Sequence, residues 1–168
     1  MAGKVSAVRE GAHTITAHLV VRGGKKAVEF YKKAFGAESR GIHETPDGKV
    51  MHAELKIGDS TIMLADEFPS MGGVQSPVSS PEALRGSTVV LNLYRDNIDQ
   101  LFNQAVAAGA TVTMPLANQF WGDRYGQVKD PFGHVWALGQ HVEDVAPAEM
   151  DRRAKEAFAQ MAKTAGKT

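Results

Sequence analysis

The chain has 168 residues, 43% of them hydrophobic, a length and apolar share that fit one domain or two small modules around a common core. Its 19 Lys plus Arg balance its 19 Asp plus Glu, so no broad cationic surface is available for phosphate backbones or anionic lipid, and nucleic-acid binding is not expected. The absence of cysteine excludes disulfides, thiolate catalysis and thiolate-bound metal.

The opening MAGKVSAVREGAH lacks an apolar run of the secretory kind. Nowhere does the chain approach the ~18 apolar residues of a membrane span, so no membrane association and a cytoplasmic location are expected. Residues 15–22, ITAHLVVR, are β-branched and apolar and read as a strand broken by Gly23 and Gly24. Alternation gives Thr16, His18 and Val20 one face and Ile15, Ala17, Leu19 and Val21 the other. Ala27, Val28, Tyr31, Ala34 and Phe35 then recur at helical spacing, with Gly36 at the C-terminal cap position. ESRGIHET predicts a second strand. VMHAELKI predicts a third, with Met51, Ala53, Leu55 and Ile57 on one face and His52, Glu54 and Lys56 on the other. TIMLADE returns as its hairpin partner.

Residues 67–88 are rich in Pro, Gly and Ser and read as a linker or a long active loop. The pattern then restarts. TVVLNLY is a strand, and Asp96 or Asn97 can cap a helix carrying Ile98, Leu101, Phe102, Ala105 and Val106. TVTMP, RYGQVKD and HVWALG are strands, with the turn DPFG between the last two. A third helix begins at Pro147, with Met150, Ala154, Ala157, Phe158 and Met161 as its apolar stripe. Sliding the chain along itself until Ile15 falls on Val89 also places His18 on Asn92 and Leu64 on Leu138. Each half reads strand, helix, three strands. Neither half can cover both faces of its own sheet, so the two must pack together.

Two such halves, the opening VVRGGKKAVEFYKKAFGAE and the closing DPFGHVWAL together resemble the vicinal oxygen chelate superfamily of glyoxalases, bleomycin-resistance proteins and extradiol dioxygenases. HAEL, LADEFP and FWGDRYG bring the resemblance closest to its small bacterial PhnB-like members. The resemblance implies an α+β fold. Two βαβββ modules (13–66 and 88–142), joined by the 67–87 loop and followed by a 147–163 helix, would each curl a sheet into a half-barrel. A ligand cavity is expected on the concave side and a homodimer as the assembly. Metal-dependent members place one ligand, usually His or Glu, on the first and last strand of each half. Aligned on EFYKKAFG, these positions fall on Thr16, Met63, Val90 and Ala137. A hydroxyl, a thioether and two hydrocarbons cannot coordinate a divalent ion, so no metal and no other cofactor is expected there.

Strand parity brings His18, His52, Glu54 and Asn92 to the cavity side. His18, His52 and Glu54 match a zinc or iron site in composition, which leaves a divalent metal or an acid/base role open. The other reading is a set of hydrogen-bonded polar residues lining a wet pocket, with Glu54 facing solvent. Trp121, Arg124 and Tyr125 fall at the expected cavity mouth, where parity favours Arg124 as the inward anchor for a carboxylate or carbonyl. Alternatively, Trp121 fills a subunit interface and Arg124 pairs with Asp123 or Asp130. Trp136 is expected beneath a helix, and DPFG is expected to be structural. His13, His43, His134 and His141 have no evident partner and are expected at the surface. The leading functional expectation is a small-molecule-binding protein without the family's metal ligands. A metal-dependent or acid/base lyase or dioxygenase using His18, His52 and Glu54, and a partner-binding module, are the alternatives.

Overall fold

A computed structural model of the protein describes residues 6–8 and 12–165. Most of the opening segment on which the absence of a secretory signal rests lies outside these residues. Strand β1 (Ala17–Val21) buries Leu19 and Val21 and turns His18 the other way. Helix α1 (Gly24–Phe35) follows, then β2 (Glu38–Glu44), β3 (Val50–Ile57) and β4 (Ser60–Asp66). The sheet order is β1-β4-β3-β2, with β1 and β4 parallel and the rest antiparallel.

The loop expected at 67–88 contains structure of its own. It holds a hairpin of β5 (Ser70–Met71) and β6 (Val74–Gln75), and one helical turn, α2 (Pro81–Leu84). The second module repeats the first as β7 (Val90–Tyr94), α3 (Ile98–Ala107), β8 (Thr111–Asn118), β9 (Asp123–Lys129) and β10 (Val135–His141). Its order is β7-β10-β9-β8. The chain closes with α4 (Pro147–Ala165). No helix among the described residues is long and apolar enough to cross a membrane.

The helix starts show how deep the repeat runs. Gly23 and Asn97, at matching places in the two modules, both precede their helix in the left-handed conformation, and neither supplies a side-chain cap. The cap comes instead from the last strand of the same module. Asp66 accepts the N–H of Gly23 and Gly24 on one oxygen and of Val50 on the other, each at 2.8 Å. Its repeat mate Gln140 accepts the N–H of Ile98 at 3.2 Å. A carboxylate at a helix N-terminus both satisfies orphan donors and meets the positive end of the helix dipole.

The modules share one core. Helices α1 and α3 pack together, and the Gln104 amide donates to the carbonyls of Lys33 and Ala34 at 2.7 and 3.2 Å. Tyr31 and Phe35 of α1 lie on Trp136 of β10, ring centroids 5.5 and 4.6 Å apart. Trp136 is therefore beneath a helix as expected, but the helix belongs to the other module. The DPFG turn is likewise structural in a wider sense. Asp130, 2% exposed, accepts the Tyr31 hydroxyl and the Trp136 indole N–H on one oxygen, at 2.8 and 3.0 Å. Its other oxygen accepts the backbone N–H of Phe132 and His134 at 2.9 Å. Gly133 takes φ +90°, the conformation this turn needs.

Two sequence expectations are corrected. Met51 leaves the apolar face of β3 and is 41% exposed, because a register shift between His43 and Glu44 against β3 breaks the alternation at this point. Ile15 precedes β1 and is 89% exposed rather than helix-packed. The apolar stripe of α4 is only partly covered. Phe158 meets Phe120 at 5.9 Å yet stays 60% exposed, and Met161 is 58% exposed.

Candidate functional site

Each sheet buries one face under α1 and α3 and leaves the other open. On the first sheet the open face carries His18, His52 and His43 in a row. His18 and His52 meet edge to face at 6.0 Å, and His43 stacks on His52 at 6.4 Å. The register explains the first contact. His18 stands opposite Met63, and β4 places the small Ala65 one position up its open face, so the two imidazoles meet across a shallow place. Loss of hydration around the ring, and next the nearby His52, lower the pKa of His18 from the ordinary histidine value. Its imidazole is thus neutral at pH 7 and able to accept or donate one hydrogen bond. Glu54, opposite Met63 on β3, shares this face.

A cavity of ≈430 Å³ opens beside His18. Its floor is Val20, Met51, Ala65 and Asp66, and its far wall is the loop after β4, from Phe68 and Val74 to Val78. Sequence reasoning did not name these loop residues, since a segment without periodicity offers no face to read. The loop is clasped at its two ends by one side chain. Glu67 accepts the N–H of Ser80 at 2.9 Å and the Arg22 guanidinium at 2.6 Å, and Arg22 reaches on to Glu82. Asp66 lines the cavity with both oxygens already engaged by three backbone donors.

The second open face differs. In β9 the repeat slips by one residue: Ala53 pairs with Leu64, as Gly126 does with Leu138. His52 therefore corresponds to Tyr125 and Glu54 to Gln127. The slip reverses the expected parity of β9. Arg124 points to the helix side. Its Nε donates to Asp99 of α3 at 2.6 Å and its Nη1 to Asn118 at 3.2 Å. The expected inward direction of Arg124 is thus corrected, and neither Asp123 nor Asp130 is its partner. Tyr125 faces the open side, its hydroxyl accepting from the Gln127 amide at 2.9 Å and its ring edge-on to Trp121 at 5.6 Å.

Beside them lies a hydrogen-bonded cluster that the sequence did not announce. Asp123, 7% exposed, accepts the Tyr94 hydroxyl at 2.7 Å and the Trp121 indole at 3.0 Å. His141 bridges Asp123 and Asp144 through its two ring nitrogens, 3.0 Å each. Burial pushes the Asp123 pKa up, but the donors Tyr94, His141 and Trp121 outweigh it and hold the carboxyl below its ordinary value. Tyr94 is pushed up to about 12, first by its bond to Asp123 and then by desolvation. His141 is raised by Asp144 and then Asp123. The two carboxylates lie on opposite nitrogens of one ring and do not converge on a common point. Among the described residues no group of three or more His, Asp or Glu is arranged to hold a metal ion.

The remaining histidines also have partners. His13 reaches the Asp59 carbonyl at 3.3 Å, and His134 reaches the Val20 carbonyl on the free edge of β1 at 3.1 Å. The four positions aligned with the family's metal ligands are not direct cross-strand partners. Met63 stands opposite His18 rather than Thr16, and Ala137 opposite Asn92 rather than Val90. Asn92 lies on the open face of β7, its amide turned back towards the Val90 carbonyl at 3.5 Å.

A family model for the glyoxalase/bleomycin resistance protein/dioxygenase superfamily matches residues 12–138. An uncharacterised protein of Mycobacterium tuberculosis, Rv0887c, is 47% identical over 131 residues, covering 78% of this chain and 76% of that protein. The product of the Arabidopsis thaliana gene AT5G48480 superposes with a TM-score of 0.59 at 30% identity, over 75% of this chain and 97% of that one. A PhnB protein from Bacillus cereus, described as a putative 3-demethylubiquinone-9 3-methyltransferase, superposes at 0.54 and 22% identity, over 76% and 99%. The family model spans the described fold from before β1 into β10, and the chain belongs to the glyoxalase/bleomycin resistance protein/dioxygenase superfamily.

Proposed function

We propose that this protein binds an uncharged, largely apolar small molecule in the cavity between the open face of β1, β3 and β4 and the 68–78 loop, with His18 as its polar anchor. The observation that carries this reading is the lining: Val20, Met51, Ala65, Phe68, Val74 and Val78 dominate it beside the His18 imidazole, with Asp66, Gln75 and Ser76 as its other polar members. A cavity of ≈430 Å³ lies within the ~300–1,000 Å³ range of small-molecule sites, which are mostly apolar with a few placed polar groups. His52 stands edge-on to His18 beside the pocket, while Glu54 and Asn92 lie outside its lining. Trp121 and Tyr125 offer a second aromatic wall, and Arg124 is outside the site.

Binding needs no metal in this reading. The positions aligned with, or opposite, the family's ligands carry an imidazole, a thioether, an amide and a methyl group, a poor donor set for a divalent ion. The working form is a homodimer in the cytoplasm; the dimer is supported by Val90 and Tyr94, which are 44% and 54% exposed on the open face of β7.

The test is a calorimetric screen of neutral aromatic–aliphatic compounds against the wild type, His18→Ala and Ala65→Leu. Loss of one hydrogen bond should weaken binding by roughly 3- to 10-fold in His18→Ala. Filling the floor in Ala65→Leu should weaken it further. Compounds that bind both variants as well as wild type would place the site elsewhere. A full equivalent of zinc, nickel, iron or manganese in protein purified without chelator would overturn the metal-free reading.

A further inference from the structure

The cavity beside His18 does not end at the loop. A second cleft of ≈610 Å³ lies between the free edge of β1 and β7, and it shares His18, Val20, Pro77 and Val78 with the first. Pro77 and Val78 cross between the two as a strap. Beyond the strap the walls are aliphatic: Ile15, Leu84, Val89 and Leu91. Ile15, Leu84 and Val89 are 89%, 62% and 61% exposed, a concentration of bare aliphatic surface unusual for single scattered side chains. Two of the polar side chains at its border are engaged. The His134 imidazole is held by the Val20 carbonyl, and the Ser87 hydroxyl donates to the Val89 carbonyl at 2.9 Å. Among the described residues no Asp, Glu, Lys or Arg lines the cleft, and its titratable groups are His18 and His134.

We infer that the β1–β7 cleft is a tail subsite for an unbranched alkyl or acyl chain whose uncharged polar head sits at His18. The inference rests on the function proposed above and names the class of ligand: a neutral amphipathic molecule. Continuity through the shared residues argues for one ligand spanning both chambers. The lack of a charged lining residue argues against an ionic occupant, whose charge would be buried unpaired.

The experiment uses the intact protein and the n-alkanols from hexanol to tetradecanol, with affinities measured by calorimetry. Affinity should rise about fourfold per methylene and level off once the chain outgrows both chambers. Val89→Trp fills the second cleft from an exposed position and leaves the first cavity alone. It should preserve hexanol binding and flatten the rise for longer chains. A chain-length series that is the same in Val89→Trp and wild type overturns the tail subsite. So does a series that never rises, while His18-dependent binding of compact aromatic compounds would still uphold the first cavity. If Val89→Trp instead splits a dimer in sedimentation equilibrium and leaves the alkanol series unchanged, the cleft is a subunit contact and the inference is wrong.

Discussion

Replacing Asp130 tests how the two modules are joined. Its carboxylate is 2% exposed and takes donors from three places: the Tyr31 hydroxyl of α1, the Trp136 indole of β10, and the N–H groups of Phe132 and His134 in its own turn. In Asp130→Asn one oxygen remains for the two backbone donors. The new amide NH₂ then confronts Tyr31 and Trp136. The tyrosine hydroxyl can rotate and accept, but an indole N–H is donor only, so Trp136 is left unpaired. A buried unsatisfied donor costs ~1–3 kcal/mol, and the loss of a charged acceptor adds about 1 kcal/mol, giving about 3 kcal/mol in all. Asp130→Ala orphans every donor and should cost about 4 kcal/mol or more. Tyr31→Phe removes one donor and leaves the acceptor satisfied by others, so it should cost about 1 kcal/mol. Set against a typical stability of ~5–15 kcal/mol, the Ala variant approaches loss of the fold. The assay is urea unfolding followed by tryptophan fluorescence, with m-values compared. An Asp130→Asn variant as stable as wild type to within ~0.5 kcal/mol, the range of an ordinary surface substitution, would refute this account of the module junction.

Two further outcomes are expected. His141 has its pKa raised in the folded state by Asp144 and Asp123, so its contribution to stability is full below the unfolded histidine value of ~6.5 and is lost as pH rises through the higher folded value. The difference in melting temperature between wild type and His141→Gln should therefore shrink from pH ~6 towards pH ~9, and a difference constant with pH would count against the bridge. Arg124→Ala should leave small-molecule affinity unchanged and lower stability only slightly, because its partner Asp99 is 59% exposed and solvent screens the pair. A marked loss of affinity in that variant would return Arg124 to the site.

The strands and helices were legible because their periodicities are long and clean. The repeat was legible because one constant shift aligns whole elements, Ile15 with Val89 at one end and Leu64 with Leu138 at the other. Parity failed where a single residue was gained or lost. The bulge at Met51 and the one-residue slip in β9 each turn side chains through the sheet, and neither leaves a composition signal. Arg124 was misplaced for that reason alone. The Asp123 cluster was hidden differently. Its members Tyr94, Trp121, His141 and Asp144 come from three separate parts of the chain, and Asp123 by itself reads as an ordinary turn residue before a strand. Gly122 could have hinted at it. With φ +95° and the Glu143 carbonyl lying where a Cβ would sit, it marks the crossing of the segment that carries His141 on to α4.

The two open faces are built on one plan but carry different chemistry. The first presents His18, His52, Glu54 and Met63; the matching positions of the second hold Asn92, Tyr125, Gln127 and Ala137. Each imidazole or carboxylate of this set in the first face has a neutral counterpart in the second, Glu54 against its near-isostere Gln127 being the plainest case. The capping pair follows the same rule, with Asp66 in one module and Gln140 in the other, and both still cap their helix. Scaffold roles thus survive the change from acid to amide, because a carbonyl oxygen accepts a backbone N–H in either form. Site roles do not survive it, because an amide neither titrates nor binds a cation strongly. Among these matched positions the imidazoles and the carboxylate are therefore confined to the first module. The second module offers hydrogen bonds and aromatic surface, and Asp123, the acid it retains on that side, is consumed by Tyr94, Trp121 and His141. His141, bridged between Asp123 and Asp144, is the titratable imidazole that the second module adds outside these matched positions.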